Sequence, residues 1–500
     1  MRRDVVLALV GEPTSVLAEE PNARLLAAAV METLVVRDSR DELSPRLAQA
    51  IPTLANGGLR WLVDEDSVSG QLVADFTLRP DVRWQDRRPI TADDVRFAFA
   101  QDRSTPAGTE RRYRADRIER VEVVAERTAR VYYRKGERWP DYALGPRVLP
   151  RHVLGGASEE RRAAYERSPL HAGPFSVAAW IPGFGVTLAA NPDYVLGPPS
   201  LGRIEVRFLR DRAAVLDALK RGEVDVAPSP ALEADLALVL DQLADGTERS
   251  GLQTYYSATE SIEALRFGPR FGEASVRRAI ELAIDRTRIA DIVFAGRARV
   301  PSSYLVAPSR EALTLGAAPR VDRELSRALL GSAGYRPGGF GILERDGERL
   351  IATLVVADGS AARIDAARLV ASDLAAIGIA VEVLARTAAE VDAAIERSAF
   401  ELALVAESGA DPFSATDRYR GRAGTWFDAL AVTARGAGET DQRALYGELQ
   451  RVWAEVRPAI PLYQRLAVDV APRDLAGIRP SPAGAPLTWN AGLWGFARAR

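Results

Sequence analysis

The sequence predicts an α/β protein built from two or three packed units, and three observations predict it. A chain of 500 residues is longer than one ordinary hydrophobic core accommodates. Apolar runs of strand length alternate with segments whose apolar residues recur at helical spacing, and no fixed-period repeat points to a solenoid or propeller. Hydrophobic residues make up 47% and charged residues 27%, the balance of an ordinary folded domain.

Taken in order, the first element is a strand over Val5–Val10, ended by Gly11-Glu12-Pro13. From about Leu34 to Tyr133 the pattern is that of a smaller α+β subdomain. Gln71–Leu78, Val121–Val124 and Arg130–Tyr133 read as antiparallel strands there, and Thr91-Ala92-Asp93-Asp94 reads as a capping box ahead of Val95–Phe99. Asp211 is placed to cap a helix carrying Val215, Leu216 and Leu219. Gly222 closes that helix before the strand-like Val224-Asp225-Val226. Val276, Ile280 and Ala283 share one helical face, and Asp285 is placed to cap a following helix that ends near Gly296. The clearest block runs from Leu350 to Ala406. Leu350–Ala357, Ile379–Leu384 and Leu402–Ala406 read as strands. Between them lie a helix carrying Ile364, Ala367, Val370, Ala371 and Leu374, ended at Gly378, and a short helix over Val391–Ile395. A β-α-β-α-β order requires parallel pairing through right-handed crossovers.

Composition narrows the function classes. A formal net charge of −2 gives no basis for nucleic acid or an anionic membrane surface as partner. There is no cysteine, which excludes disulfides, thiol catalysis and cysteine metal sites. His152 and His171 are the only histidines, and neither has a ligand-spaced partner, so both read as surface or loop residues. No stretch has the roughly 18 to 20 apolar residues of a membrane span. Met1-Arg2-Arg3-Asp4 leading into Val5–Val10 lacks a cleavage pattern, so an exported protein would begin here after a processed leader.

Six segments, in one register along nearly the whole chain, resemble the extracytoplasmic solute-binding proteins of family 5, which serve oligopeptide, dipeptide and nickel ABC transporters. They are Phe76-Thr77-Leu78-Arg79-Pro80-Asp81-Val82-Arg83-Trp84-Gln85-Asp86 with Pro89–Val95; Gly173-Pro174-Phe175 with Trp180 and Asn191-Pro192-Asp193-Tyr194; Ala218–Asp225; Val276–Ile280 with Ala283–Arg286 and Gly296; Ala328–Leu330 with Ala333-Gly334-Tyr335; and Pro458–Tyr463. Arg87 stands where the family signature has glycine. Most of these residues read as structural: Trp84 and Phe97 as core, Asn191–Tyr194 as a turn.

The resemblance implies a two-lobed periplasmic-binding-protein-like fold of the large peptide-binding type, with the extra α+β subdomain, about residues 34–165, in the first lobe. Residues 1–253 and 469–500 would form lobe I and residues 254–468 lobe II. The chain would cross near Gln253–Ser257, and ligand would lie between the lobes. It further implies an ABC-importer component without catalysis or cofactor, monomeric, and extracytoplasmic, periplasmic or lipid-anchored. Its partners would be a peptide or peptide-like ligand and a membrane permease.

Ligands of parallel α/β sheets sit beyond the carboxyl ends of strands. That rule selects Gly11–Ser15, where Thr14 and Ser15 offer hydroxyls, and Glu407–Asp411, where Glu407, Ser408 and Asp411 offer acceptors. The peptide-binding relatives place an aspartate for the ligand ammonium in a W-x-x-D-x-x-D-P pattern. Registered on Asp411-Pro412, this chain has Ser408 at the aspartate and Val405 at the tryptophan, leaving Glu407 to take over or the ligand to lack a free amine. Trp426 with Phe427, and Trp489 with Trp494, are candidate aromatic walls. A non-peptide solute (sugar, opine or metal chelate) and a ligand-sensing module are the alternatives. No phosphate loop, dinucleotide fingerprint or carboxylate pair singles out an enzyme.

Overall fold

The computed structural model describes residues 3–40, 42–62, 70–136, 141–244, 251–313, 315–316, 319–409, 411–481 and 485–497. The chain divides into two units: Met1–Ser257, Arg435–Glu439 and Ala467–Arg500 form the first, and Ala258–Ala434 with Thr440–Leu466 the second.

In the first unit, strand β1 (Asp4–Val10) leads to helix α1 (Pro21–Val30). Strands β2 (Leu59–Leu62), β3 (Gln71–Thr77), β4 (Ile118–Ala125) and β5 (Thr128–Tyr133) form an antiparallel sheet in the order β2-β3-β5-β4, with helix α2 (Ala92–Arg103) between β3 and β4 in sequence. The first turn of α2 is closed by Asp94, whose carboxylate accepts from the Thr91 amide at 3.0 Å. Strands β6 (Phe175–Ile181), β7 (Gly185–Ala190) and β8 (Arg203–Leu209) join β1 in a second sheet, ordered β1-β8-β7-β6. Here β1 and β8 run parallel and the remaining pairs antiparallel. Its core gathers Val5, Leu7, Leu9, Leu26, Phe175, Ile204, Val206 and Trp494. Helix α3 (Arg212–Arg221) starts at Asp211, which accepts from the Ala214 amide, and stops at Gly222 with φ of 69°. Val224–Val226 does not extend into a strand. It makes a single bridge, Leu7 to Val226.

The second unit is built on strands β9 (Leu252–Phe267), β10 (Ile351–Ala357), β11 (Ala380–Arg386), β12 (Leu402–Ser408) and β13 (Ala459–Pro472), in the sheet order β11-β10-β12-β9-β13. β10 is parallel to both β11 and β12, and β9 is antiparallel to β12. The boundary between the units falls inside β9 and β13, so two continuous strands carry the chain from one to the other. The helices are α4 (Ala274–Ala283), α5 (Arg286–Phe294), α6 (Arg323–Ser332), α7 (Ala361–Ala375), α8 (Ala388–Glu396), α9 (Pro412–Asp417), α10 (Thr425–Gly436) and α11 (Glu439–Val456). Asp285 caps α5, and Gly378 takes φ of 89° after α7. One buried carboxylate of α7, Asp373, ties three helices together. It accepts from the Asp285 amide at 2.9 Å and from Arg323 at 3.0 Å, and lies 3.4 Å from Arg288.

Candidate ligand-binding site

At the carboxyl end of β1 the chain turns at Gly11, with φ of 78°, and Asn22 of α1 donates to the Val10 carbonyl at 2.7 Å. Glu12 accepts from the Trp180 indole at 2.6 Å and the Gly183 amide at 2.7 Å, so the loop is pinned to the β6–β7 turn. The Trp180 hydrogen bond holds the Glu12 carboxyl below its usual pKa. Thr14 is exposed, and both its amide and its hydroxyl bond the Glu20 carboxylate, while Ser15 is buried. Trp489 is half-buried. Its indole donates to the Arg479 carbonyl at 2.8 Å, and the Arg46 guanidinium lies 5.7 Å from its ring centre. Trp494, by contrast, is core.

The second candidate loop follows β12. This strand is buried on both faces from Leu402 to Val405 and then alternates, with Ala406 exposed, Glu407 buried and Ser408 exposed. Alternation sends Glu407 to one face of the sheet and Ser408 to the other. Glu407 is therefore not an acceptor offered to solvent, and this corrects its expected role. It is 2% exposed, receives the Arg266 Nε hydrogen bond at 2.6 Å and the Tyr419 hydroxyl, and has Arg418 at 4.0 Å. Burial, reinforced by the Glu407 charge, raises the Tyr419 hydroxyl well above its ordinary pKa, so it remains a donor. Asp411 caps α9, accepting from the Phe413 and Ser414 amides at 3.1 Å each, and Ala410 lies outside the described residues. Trp426 stands 62% exposed on α10, whereas Phe427 is core.

On the face that Ser408 shares lies a group of residues that sequence reading missed. Ser408 pairs directly with Ser261 of β9, and Ala406 with Glu263. Directly opposed residues of an antiparallel pair project to the same side, so Ser261, Glu263, Ala406 and Ser408 line one face. Glu263 is 1% exposed. Arg363, in the first turn of α7, places Nε 2.9 Å from Glu263 Oε1 and donates from Nη2 to Oε2 at 3.2 Å. Arg465 of β13 approaches Oε2 at 3.7 Å, and its side chain stays 40% exposed. Burial raises the Glu263 pKa against the pull of the two arginines. A sequence signal was present: α7 opens with an arginine and no acid, which opposes the helix dipole and marks Arg363 as held by a partner from elsewhere.

Among the described residues no group of His, Cys, Asp and Glu has the arrangement of a metal site. His152 bonds Asp86 at 2.8 Å, whereas His171 is fully buried beside Trp84, which corrects its expected surface or loop position, and burial pushes its pKa down to about 3. Also among the described residues, no helix is long and apolar enough to cross a membrane.

Comparison with known proteins adds a family. Residues 42–426 match the profile of the bacterial extracellular solute-binding proteins, family 5 middle region. The chain is 28% identical over 488 residues to the di/tripeptide-binding protein 2 of Pseudomonas aeruginosa, covering 88% of this chain and 86% of that one. It is 26% identical over 393 residues to the oligopeptide-binding protein AppA of Bacillus subtilis, covering 76% of this chain and 68% of that one. Its fold matches the crystal structure of NikA from Brucella suis in complex with Fe(III)-EDTA, with a TM-score of 0.81, 20% identity and 99% of each chain covered.

Proposed function

The chain belongs to family 5 of the bacterial extracellular solute-binding proteins, and from that premise we propose that it is the substrate-binding component of an ABC importer, capturing a peptide or peptide-like solute. The observation that carries this reading is the family match over residues 42–426, joined to relatives at 26% and 28% identity whose names specify oligopeptides and di- or tripeptides. The protein binds and releases; it does no covalent chemistry. It works outside the cytoplasmic membrane as a monomer, and a membrane permease is its partner.

Capture works by closure. A solute that touches both units stabilises the closed state by its differential affinity and shifts a hinge equilibrium, which the two strands running through both units are suited to carry. Affinity comes from a water-excluding pocket with a few fixed polar anchors. Lobe I of this reading is residues 1–253 with 469–500, lobe II is residues 254–468, and Thr14, Ser408 and Trp426 are the side chains offered towards solute, while the burial of Ser15 removes it from that expected role.

Native mass spectrometry of the purified protein, followed by mass analysis of what denaturation releases, tests the reading. A set of short peptides released in stoichiometric amount supports it. A single sugar or metal chelate held in their place would replace it with the non-peptide alternative.

A further inference from the structure

At the end of the second unit's sheet opposite Ser408, four guanidiniums gather around one carboxylate. Phe267 of β9 pairs with Leu402, the first residue of β12, so this edge holds the amino ends of the parallel strands. The crossing between the units falls towards the other end of β9. Glu281, near the end of α4, accepts from Arg278 Nη1 at 2.5 Å and Arg457 Nε at 2.7 Å, and has Arg286 Nη2 3.8 Å away. Arg277 completes the group. It donates to the carbonyls of Gly272 at 2.6 Å and Val456 at 2.9 Å and pairs with no acid among the described residues.

The acids close by in sequence are engaged elsewhere. Glu273 pairs with Arg345 at 2.6 Å, Asp285 accepts from the Arg288 amide at 2.9 Å, and Glu455 offers Arg457 its carbonyl at 2.7 Å. With Glu281 ionised, four positive charges face one negative charge, which leaves a surplus of three. Burial, aided by the Arg457 charge, lowers the Arg277 pKa. Burial also lowers that of Arg286, against the pull of Glu281 and with the push of Arg278.

Unused donors accompany the surplus charge. Arg286 is 3% exposed, and its Nε and Nη2 make no hydrogen bond among the described residues. A guanidinium keeps its proton at neutral pH, so leaving one buried and short of partners is costly. Nε and Nη2 of Arg278 form a second unused edge, and Nη2 of Arg457 is also unbonded among the described residues. Both of these side chains are partly exposed, so the group runs from the interior at Arg286 to a surface that a small anion can reach. A planar fork takes two oxygens of one anion, and a surplus of three charges favours a tetrahedral, multiply charged oxyanion over a single carboxylate.

We propose that this cluster binds an oxyanion of the phosphate class on the free edges of Arg278 and Arg457, with Arg286 behind them, at a site separate from the one that takes the solute. The proposal does not depend on which solute is carried. Inorganic phosphate and the phosphate of a lipid headgroup share this chemistry.

Two arms test it on the whole chain. Thermal unfolding and calorimetric titration compare sodium phosphate with sodium chloride at matched ionic strength, and co-sedimentation compares phosphatidylglycerol vesicles with phosphatidylcholine vesicles. Phosphate is expected to raise the melting temperature saturably where chloride does not, and Arg278→Gln to raise the Kd at least about tenfold. Arg457→Gly removes a second donor while relieving a backbone held at φ of 52°, so it tests the site in a variant expected to fold. Circular dichroism and urea midpoints verify folding for both. Arg368→Gln removes an equal charge from an exposed position of α7 and is expected to keep the response. A phosphate response without vesicle binding assigns the site to a free anion. Binding to phosphatidylglycerol that Arg278→Gln abolishes assigns it to a headgroup, and either result sustains the proposal. It is overturned if neither arm responds, if the response survives in both Arg278→Gln and Arg457→Gly, or if Arg368→Gln abolishes it equally.

Discussion

Arg87 has the backbone of a glycine. Its φ of 68° lies in the left-handed region, in the tight turn where its amide bonds the Trp84 carbonyl at 2.8 Å, and this is the position where the family signature carries glycine. A side chain there costs on the order of 1 kcal/mol. Its one ion pair, to Asp193 at 3.5 Å, is between exposed groups and returns little. Arg87→Gly is therefore expected to stabilise the fold by about 0.5–1 kcal/mol, read as a higher urea midpoint at unchanged slope. Glu407 runs the other way. Glu407→Gln leaves Arg266 buried without its countercharge, and the expected loss is about 3–5 kcal/mol in the same assay. A solvent-facing ligand group would lose affinity and keep stability, so a midpoint shift below about 1 kcal/mol contradicts the internal role. The sequence made Glu407 look available because its partner Arg266 lies 141 residues earlier, and linear reading reports the sign of a charge but not its companion.

Strand β13 carries a titrating group of its own. Asp469 is 5% exposed and accepts from the Ser229 amide at 2.8 Å, and burial raises its pKa from 3.8 to about 6. The folded-state value is above the unfolded one. The associated stability is thus fully present below pH 3.8 and lost as pH rises through about 6, a linkage of up to about 3 kcal/mol. Asp469→Asn keeps the acceptor and removes the titration. The difference in unfolding free energy between variant and wild type is expected to grow in the variant's favour from pH 4 to pH 7, measured by urea titration at unit intervals. A flat difference contradicts the assignment. The same strand shows which elements were legible. The block β10-α7-β11-α8-β12 could be read because each element carries its own apolar period and its own stop. Strand β9 was seen only at its start, because Glu260, Glu263 and Arg266 interrupt the apolar pattern of a run that extends to Phe267. Its place between β12 and β13 depends on pairing with residues more than a hundred positions away, which no local period records. The group of Glu263, Arg363 and Arg465 was hidden for the same reason, its three members arriving from β9, α7 and β13.

At the scale of the molecule, the chain divides into two units, and two continuous strands carry it from one to the other. Such units are free to unfold in separate steps unless something couples them. Under the proposed capture by closure the solute supplies that coupling, stabilising the folded chain by RT ln(1 + [L]/Kd), about 2.7 kcal/mol at a hundredfold excess over Kd. Calorimetry of the ligand-free protein is expected to show a broad or split transition. Addition of the solute identified by mass spectrometry is expected to merge it into one sharper transition at higher temperature, and small-angle scattering to show a smaller radius of gyration in the same samples. A solute that raises only one transition, with an unchanged radius of gyration, would mean that it is held by one unit alone, and capture by closure would have to be abandoned.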